Sequence, residues 1–234
     1  MCKRLRSVRG MPRDTLTREQ IVRTAVELLD AEGLEGLNMR ALGQRLGSAA
    51  TAVYWHVQNK DNLVLLATDH VWGELALPDL EAVGWRTAAT AMATDLYAMF
   101  IRHPWLVQAL AAHVLYGEGK ARHDDHSFAV YEAAGFTGAR ADQAAAAVFT
   151  YVLGNAAGAA ATASLTRRLT RDGAIAEEHF QAAMAEAQQI AMGYPHLRAR
   201  LETPAATEYT AAADKAFEFG LHALLDGLEQ QIAA

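Results

Sequence analysis

From residue 17 onward, apolar positions recur at intervals of three and four, and period-two alternation bounded by turn residues does not occur. That pattern predicts helix almost throughout. Thr17, Arg18, Glu19 and Gln20 have capping-box spacing, in which the fourth side chain reaches back toward the cap. Ile21, Val22, Ala25, Leu28 and Leu29 then make one apolar stripe, and Gly33 closes the helix. Asn38 caps a short second helix that runs through Leu42 and Leu46 to Gly47. Ser48 is expected to cap a third, ending near Val57, and Asn59 a fourth that passes Leu63, Leu66 and Val71 toward Pro78.

Beyond Pro78 the spacing predicts helices over 85–102, 105–115, 121–134, 139–168, 176–192 and 207–231, separated by glycines and prolines. The expected fold class is therefore all-α. Gln143 to Thr166 is 24 residues without a charge, long enough to cross a bilayer. Alanine dominates the run, however, with Gln143, Thr150, Asn155, Thr162 and Ser164 interspersed, and alanine contributes little to insertion. The segment reads as a buried helix or a subunit interface, and no membrane partner is expected. Gly154 and Gly158 would let another helix approach closely.

Composition narrows the class. Hydrophobic residues make up 52% of the 234, which excludes a disordered chain. The single cysteine, Cys2, excludes a disulfide framework and a cysteine-rich zinc fold, and suits a reducing, cytoplasmic setting. The first twenty residues carry no apolar stretch of the signal-peptide kind. The net charge of -6 hides an asymmetry: residues 1–60 hold ten Lys and Arg against six Asp and Glu, while residues 61–234 hold eleven against twenty-one. A small basic module joined to a larger acidic body fits these numbers. The arm 1–16 adds Lys3, Arg4, Arg6, Arg9 and Arg13 against Asp14, either as extra phosphate or minor-groove contacts or as a solvated tail. Met11 is a second candidate start.

Asn38 to Lys60 carries the chemistry. Two short helices joined at Gly47 describe a helix-turn-helix, with the motif at about 38–57. The second helix is not that of a core hairpin. Ala49, Ala50, Thr51 and Ala52 are small enough for its backbone to sink into a major groove, and Tyr54, Trp55 and His56 cluster at its end. Thr51, Tyr54 and His56 offer donors to phosphate, and Arg40 and Lys60 add charge.

Residues 17–66 resemble the DNA-binding domain of the tetracycline-repressor (TetR) family of bacterial regulators, above all in the tract Ala52 to Val64. The segments His103 to Leu110 and Tyr131 to Phe136 are similar, more weakly, to the C-terminal domains of the same branch. The resemblance implies a homodimer of all-helical subunits. Each has a three-helix head (here 17–63) and a larger ligand-binding and dimerisation domain (here 64–234). Most such regulators are repressors released from a palindromic operator by a small molecule. Position by position, it puts Arg40, Ala50, Thr51 and Ala52 at or near base edges. It puts Tyr54, Trp55, His56 and Lys60 on the phosphates or packed beneath them. Three positions depart from the family pattern: Ser48, where an apolar residue is commoner; Gly43, where alanine is usual; and Ala50, where a long polar side chain can stand. Gly43 is expected to soften the second helix by about 1 kcal/mol.

The expected partners are a double-stranded DNA operator, a small-molecule effector and a second copy of the chain, with no cofactor. Tyr97, Phe100, His103, His113, Phe149 and Asn155 lie in helices expected to enclose a cavity, and are the candidate ligand contacts. Helices 139–168 and 207–231 are the candidate dimer bundle, the second through Phe217, Leu221, Leu224, Leu225 and Leu228. His123, Asp124, Asp125 and His126 are metal-ligand types, but two histidines three apart need further ligands, so the cluster reads as a solvated helix start. No catalytic motif is found. The alternative function is a metal-dependent helical enzyme using His123 and His126.

Overall fold

The computed structural model describes residues 16–203 and 209–232, in which the chain folds into eleven helices; no strand occurs among the described residues. Both readings of the basic arm fall on residues 1–15, outside the described residues. Helix α1 (Arg18–Gly36) opens on a complete capping box: Thr17 Oγ1 accepts from the Gln20 N–H at 3.2 Å, and Gln20 Oε1 accepts from the Thr17 N–H at 2.9 Å. Its predicted stripe is buried. Gly33, at φ 72°, ends the regular part and leaves one irregular turn to Gly36.

Helices α2 (Met39–Arg45) and α3 (Ala50–Val57) form the helix-turn-helix. Asn38 Oδ1 accepts from the Ala41 N–H at 2.8 Å, as its capping role requires. Ser48 does not cap α3. The cap position is Ala49, with no side-chain bond, and the Ser48 N–H donates to the Gly43 carbonyl at 2.8 Å. A Cβ on Gly43 would stand 2.8 Å from the Ser48 carbonyl oxygen and 3.2 Å from the Ala50 nitrogen. Gly43 is thus the residue that lets the turn fold back onto α2, which composition alone read as a weakness. Helix α4 (Lys60–Gly73) starts at Asn59, whose side chain accepts from the Asn62 N–H at 2.7 Å.

The body comprises α5 (Leu80–Arg102), α6 (Trp105–Ala112), α7 (Glu118–Ala134), α8 (Ala139–Asp172), α9 (Ala174–Met192), α10 (Pro195–Leu201) and α11 (Tyr209–Ile232). Its core lies among α5, α7, α8 and α11. Helix α5 begins earlier than expected because Asp79 caps it, with a break at Gly84, φ 73°. Helix α10 was not anticipated: Pro195 starts it, where proline's missing N–H is harmless, instead of ending what precedes.

The apolar stripe of α11 departs from expectation. Phe217, Leu221, Leu225 and Leu228 of α11 are buried inside the chain, so that stripe is core and does not serve a dimer. Helix α8 is long and apolar enough to cross a membrane by length and composition. One of its faces (Ala141, Ala144, Val148, Val152, Ala156, Ala160) is buried in the body. The opposite face, with Gly154, Ala157 and Gly158, is exposed, and a Cβ on either glycine would meet nothing within 4 Å.

Candidate nucleic-acid interface and internal cavity

Val53 and Val57 anchor α3 in the head and are fully buried. The other large side chains of α3 are thereby turned outward. Thr51, Tyr54, Trp55 and His56 are exposed, Ala50 and Ala52 half-buried, and Arg40 of α2 exposed. Trp55 is 90% exposed, so it stands clear of the surface and is not packed beneath anything. An indole in water is unfavourable by a few kcal/mol relative to a covered one, roughly. Lys60 differs from the others. Its ammonium donates to the Leu34 carbonyl at 2.8 Å, closing the irregular end of α1.

Of the six residues expected to line a cavity, only Phe149 does. The cavity, about 220 Å³, lies between α5, α7 and α8. Tyr97 instead stacks on Phe217 at 4.1 Å between α5 and α11. Phe100 is fully buried against Trp72. Asn155 turns back on its own helix, donating to the Tyr151 carbonyl at 2.8 Å. His103 Nδ1 lies 2.7 Å from Asp30 Oδ1 of α1, and Trp105 Nε1 donates to the same oxygen at 2.8 Å. These two join the body to the head. His113, at the end of α6, faces Asp61 of α4 at 3.8 Å. Aromatic spacing marks a helix face as inward but does not say which neighbour it meets.

The α7 wall of the cavity was missed. Lys120, His123, Asp124, Ser127 and Tyr131 all line it. Their spacing of three and four is the signal that could have found them. His123 is 6% exposed, which overturns its reading as part of a solvated helix start. Lys120 pairs with Asp124 at 2.5 Å, and its ammonium sits 5.2 Å from the Trp72 ring centre and 5.4 Å from that of Phe149. Burial pushes the Asp124 carboxyl up, but His123 and Lys120 beside it outweigh burial and hold it below the usual carboxylate range. At 3.7 Å the His123–Asp124 approach is longer than a hydrogen bond. Burial pushes the Tyr131 phenol up, so it stays neutral.

Polar atoms left without partners concentrate at one seam. Among the described residues, the buried side-chain nitrogens and oxygens lacking a hydrogen bond are Thr68 Oγ1, Trp72 Nε1 and both ring nitrogens of His123. Thr68 and Trp72 belong to α4 and His123 to α7, and the Trp72 and His123 rings meet edge-on at 5.0 Å. Each such atom costs about 1–3 kcal/mol. Helix α4 therefore runs from the end of the helix-turn-helix to rings that back the cavity. His126, by contrast, is 2.9 Å from the Pro78 carbonyl. No three His, Cys, Asp or Glu among the described residues are placed to hold a metal.

Comparison with known proteins agrees with this layout. Residues 21–67 match the model of bacterial regulatory proteins of the tetR family, and residues 77–232 that of the tetracyclin repressor-like C-terminal domain. An HTH-type transcriptional regulator of Saccharopolyspora erythraea is 36% identical over 77% of this chain and 75% of its own. The HTH-type transcriptional repressor DrrR1 of Streptomyces coeruleorubidus is 32% identical over 95% of this chain and 80% of its own. Among solved structures, the Streptomyces coelicolor protein ActR in complex with actinorhodin superposes with a TM-score of 0.70 at 27% identity, covering 92% of this chain and 96% of that one.

Proposed function

Because the chain belongs to the tetracycline-repressor family of bacterial transcriptional regulators, we propose that it is a homodimeric repressor that leaves a palindromic operator when a small molecule enters the cavity between α5, α7 and α8. It is a DNA-binding regulator and not an enzyme; the metal-dependent alternative has no support among the relatives. In this reading α3 enters the major groove. Arg40, Ala50, Thr51 and Ala52 meet base edges, and Tyr54, Trp55 and His56 meet the backbone. Lys60 holds the head together through Leu34 while adding its charge. A regulator of this kind works beside the chromosome, hence in the cytoplasm.

The exposed small-residue face of α8 supports pairing with a second copy, as does Phe219 of α11, 78% exposed. Two recognition helices would then lie about 34–36 Å apart, one turn of DNA. The observation that carries the ligand response is α4, which begins directly after α3 and ends with Trp72 against the rings of His123 and Phe149. A ligand that shifts these rings tilts α4 and respaces the heads. A preference of a few kcal/mol for the respaced state suffices, roughly, to empty the operator. ActR, a related fold that holds actinorhodin, supports a ligand-responsive body here.

The test is binding to two-fold-symmetric sequences in the DNA flanking the gene, against random DNA, over a range of salt. A specific repressor keeps an affinity ratio of about 10³ or more. Equal affinity for both would reject the reading.

A further inference from the structure

The cavity between α5, α7 and α8 has two chemically different ends. Residues 135–138 join α7 to α8, and the Lys120 ammonium of α7 lies 5.4 Å from the ring centre of Phe149 on α8, so the two helices run antiparallel. Lys120, Asp124 and Phe149 therefore line the end far from the join, and Phe128, Tyr131 and Asp142 the end beside it. Asp142 and Phe149 are seven residues apart on α8, about 10 Å at helical rise. The space is thus a slot, walled along α5 by Ala89, Met92, Ala93 and Leu96. A void of about 150 Å³ accepts one benzene ring, and the 220 Å³ here has space for roughly one ring more.

The inner end has no charge to spare. Lys120 and Asp124 pair with each other at 2.5 Å. His123 stands behind them with both ring nitrogens shut off from solvent, so it offers a ligand no atom to bond. Trp72 stacks behind Phe149 at an interplanar angle of 28°, and an uncharged ring suits these surroundings. The outer end differs. Asp142 and Phe128 are both exposed there. The nearest basic residue in sequence, Arg140, is turned away: its guanidinium donates to the Gln231 carbonyl at 2.8 Å and lies over the Phe136 ring. Tyr131 stays neutral, because burial pushes its phenol up. A carboxylate and two neutral rings at one mouth are the groups that hold an ammonium.

We propose that the cavity takes a two-ring aromatic amine, its rings between Phe149 and the α5 wall and its ammonium at the Asp142 mouth. The proposal rests on reading this cavity as the effector site. The full chain is titrated calorimetrically at neutral pH with naphthylmethylammonium, naphthylmethanol and naphthoate, which share their rings and differ in charge. At low salt the ammonium should bind about five-fold more tightly than the alcohol, the gain of one exposed ion pair and one cation–π contact, and the carboxylate most weakly. Near ~1 M salt, where screening acts within about 3 Å, the advantage should shrink. Asp142→Asn should bring the ammonium down to the alcohol and leave the alcohol unchanged. Phe128→Leu, which keeps apolar area without a ring face, should remove part of the advantage.

An alcohol as tight as the ammonium, an ammonium advantage that survives in Asp142→Asn, or no binding by any probe overturns the proposed ligand. So does binding that Ala145→Phe, which fills the cavity, leaves untouched. The effector reading has its own readout. An ammonium that binds as described, yet leaves affinity for the flanking two-fold-symmetric DNA unchanged, overturns that reading and spares the ligand class.

Discussion

The Gly119 N–H on α7 donates to the Asp69 carboxylate on α4 at 2.7 Å. The helices touch at their backbones there: a Cβ on Gly119 would stand 2.6 Å from the Asp69 carbonyl oxygen and 2.8 Å from the Gly73 nitrogen. Arg122 donates to the carbonyls of Gly73 at 2.9 Å and Leu75 at 3.2 Å. The first turns of α7, which carry Lys120 and His123 into the cavity, thus hold the end of α4 and the link that follows it. Whatever moves one moves the other.

Gly119→Ala should therefore force the two helices apart. Overpacking of this kind costs about 1–3 kcal/mol and should lower the melting temperature by roughly 3–10 °C. Calorimetric melting of the variant checks this. An unchanged midpoint would mean the helices can separate freely.

Asp30 accepts from both His103 and Trp105 and is a polar joint between α1 and the body. Asp30→Ala leaves two donors in a partly buried place, which should destabilise the chain by about 1–3 kcal/mol in urea. Asp30→Asn keeps an oxygen for Trp105 and should recover part of that. Identical losses in the two variants would show the joint to be steric.

Asp124 gives the pH dependence. Its carboxyl lies below the usual range when folded. Its contribution to stability is therefore present above the ordinary carboxylate value, about 3.9, and is lost as pH falls through the lower folded value. Wild type should exceed Asp124→Asn by a constant margin above about pH 5, and the margin should shrink below about pH 4. A margin that grows on acidification would reverse the sign assigned to the pair with Lys120.

Gly154 and Gly158 lie on the open face of α8, where a larger side chain has space within the chain. Gly154→Leu should leave the fold of the subunit intact and weaken dimerisation through overpacking, by about 1–3 kcal/mol. Sedimentation at sub-micromolar concentration reads the outcome. A dimer unchanged by the substitution places the interface elsewhere.

On DNA, Arg40→Ala should cost about 1–3 kcal/mol and relax specificity at one base pair. Ala50, Ala52 and Thr51 present mainly methyl groups, so replacing a contacted thymine by uracil should cost about 1 kcal/mol or less. Lys60→Ala should weaken all sequences alike. Because its ammonium also closes the end of α1, it should destabilise the head by about 1 kcal/mol. Affinity indifferent to every uracil substitution would move specificity to Arg40 or to DNA shape.

What could be read from the sequence was what is decided within a few residues. Thr17, Asn38 and Asn59 cap their helices because a cap needs only its own next turn. The exposure of Tyr54 and His56 follows from Val53 and Val57 being the only large aliphatic side chains on α3. Features set by distant segments were not legible. Gly43 is explained by the Ser48 backbone folding over it, and Tyr97 by Phe217, far along the chain. His123 was misjudged because the cluster His123 to His126 was weighed only as metal-ligand types, and two histidines three apart lack further ligands. The ladder of Lys120, Asp124, Ser127 and Tyr131 on one helix face is the signal that places His123 inside.

The four tryptophans stand in different surroundings: Trp72 and Trp105 are fully buried, Trp85 is half-buried, and Trp55 is almost wholly in water. Indole emission shifts to the red in water and is quenched by nearby acceptors. Trp55 supplies the red edge of the spectrum and stands on the face proposed for DNA, whereas Trp72 emits from behind the cavity wall. Operator occupancy and ligand occupancy would thus be written at opposite ends of one emission band, legible in the unlabelled protein.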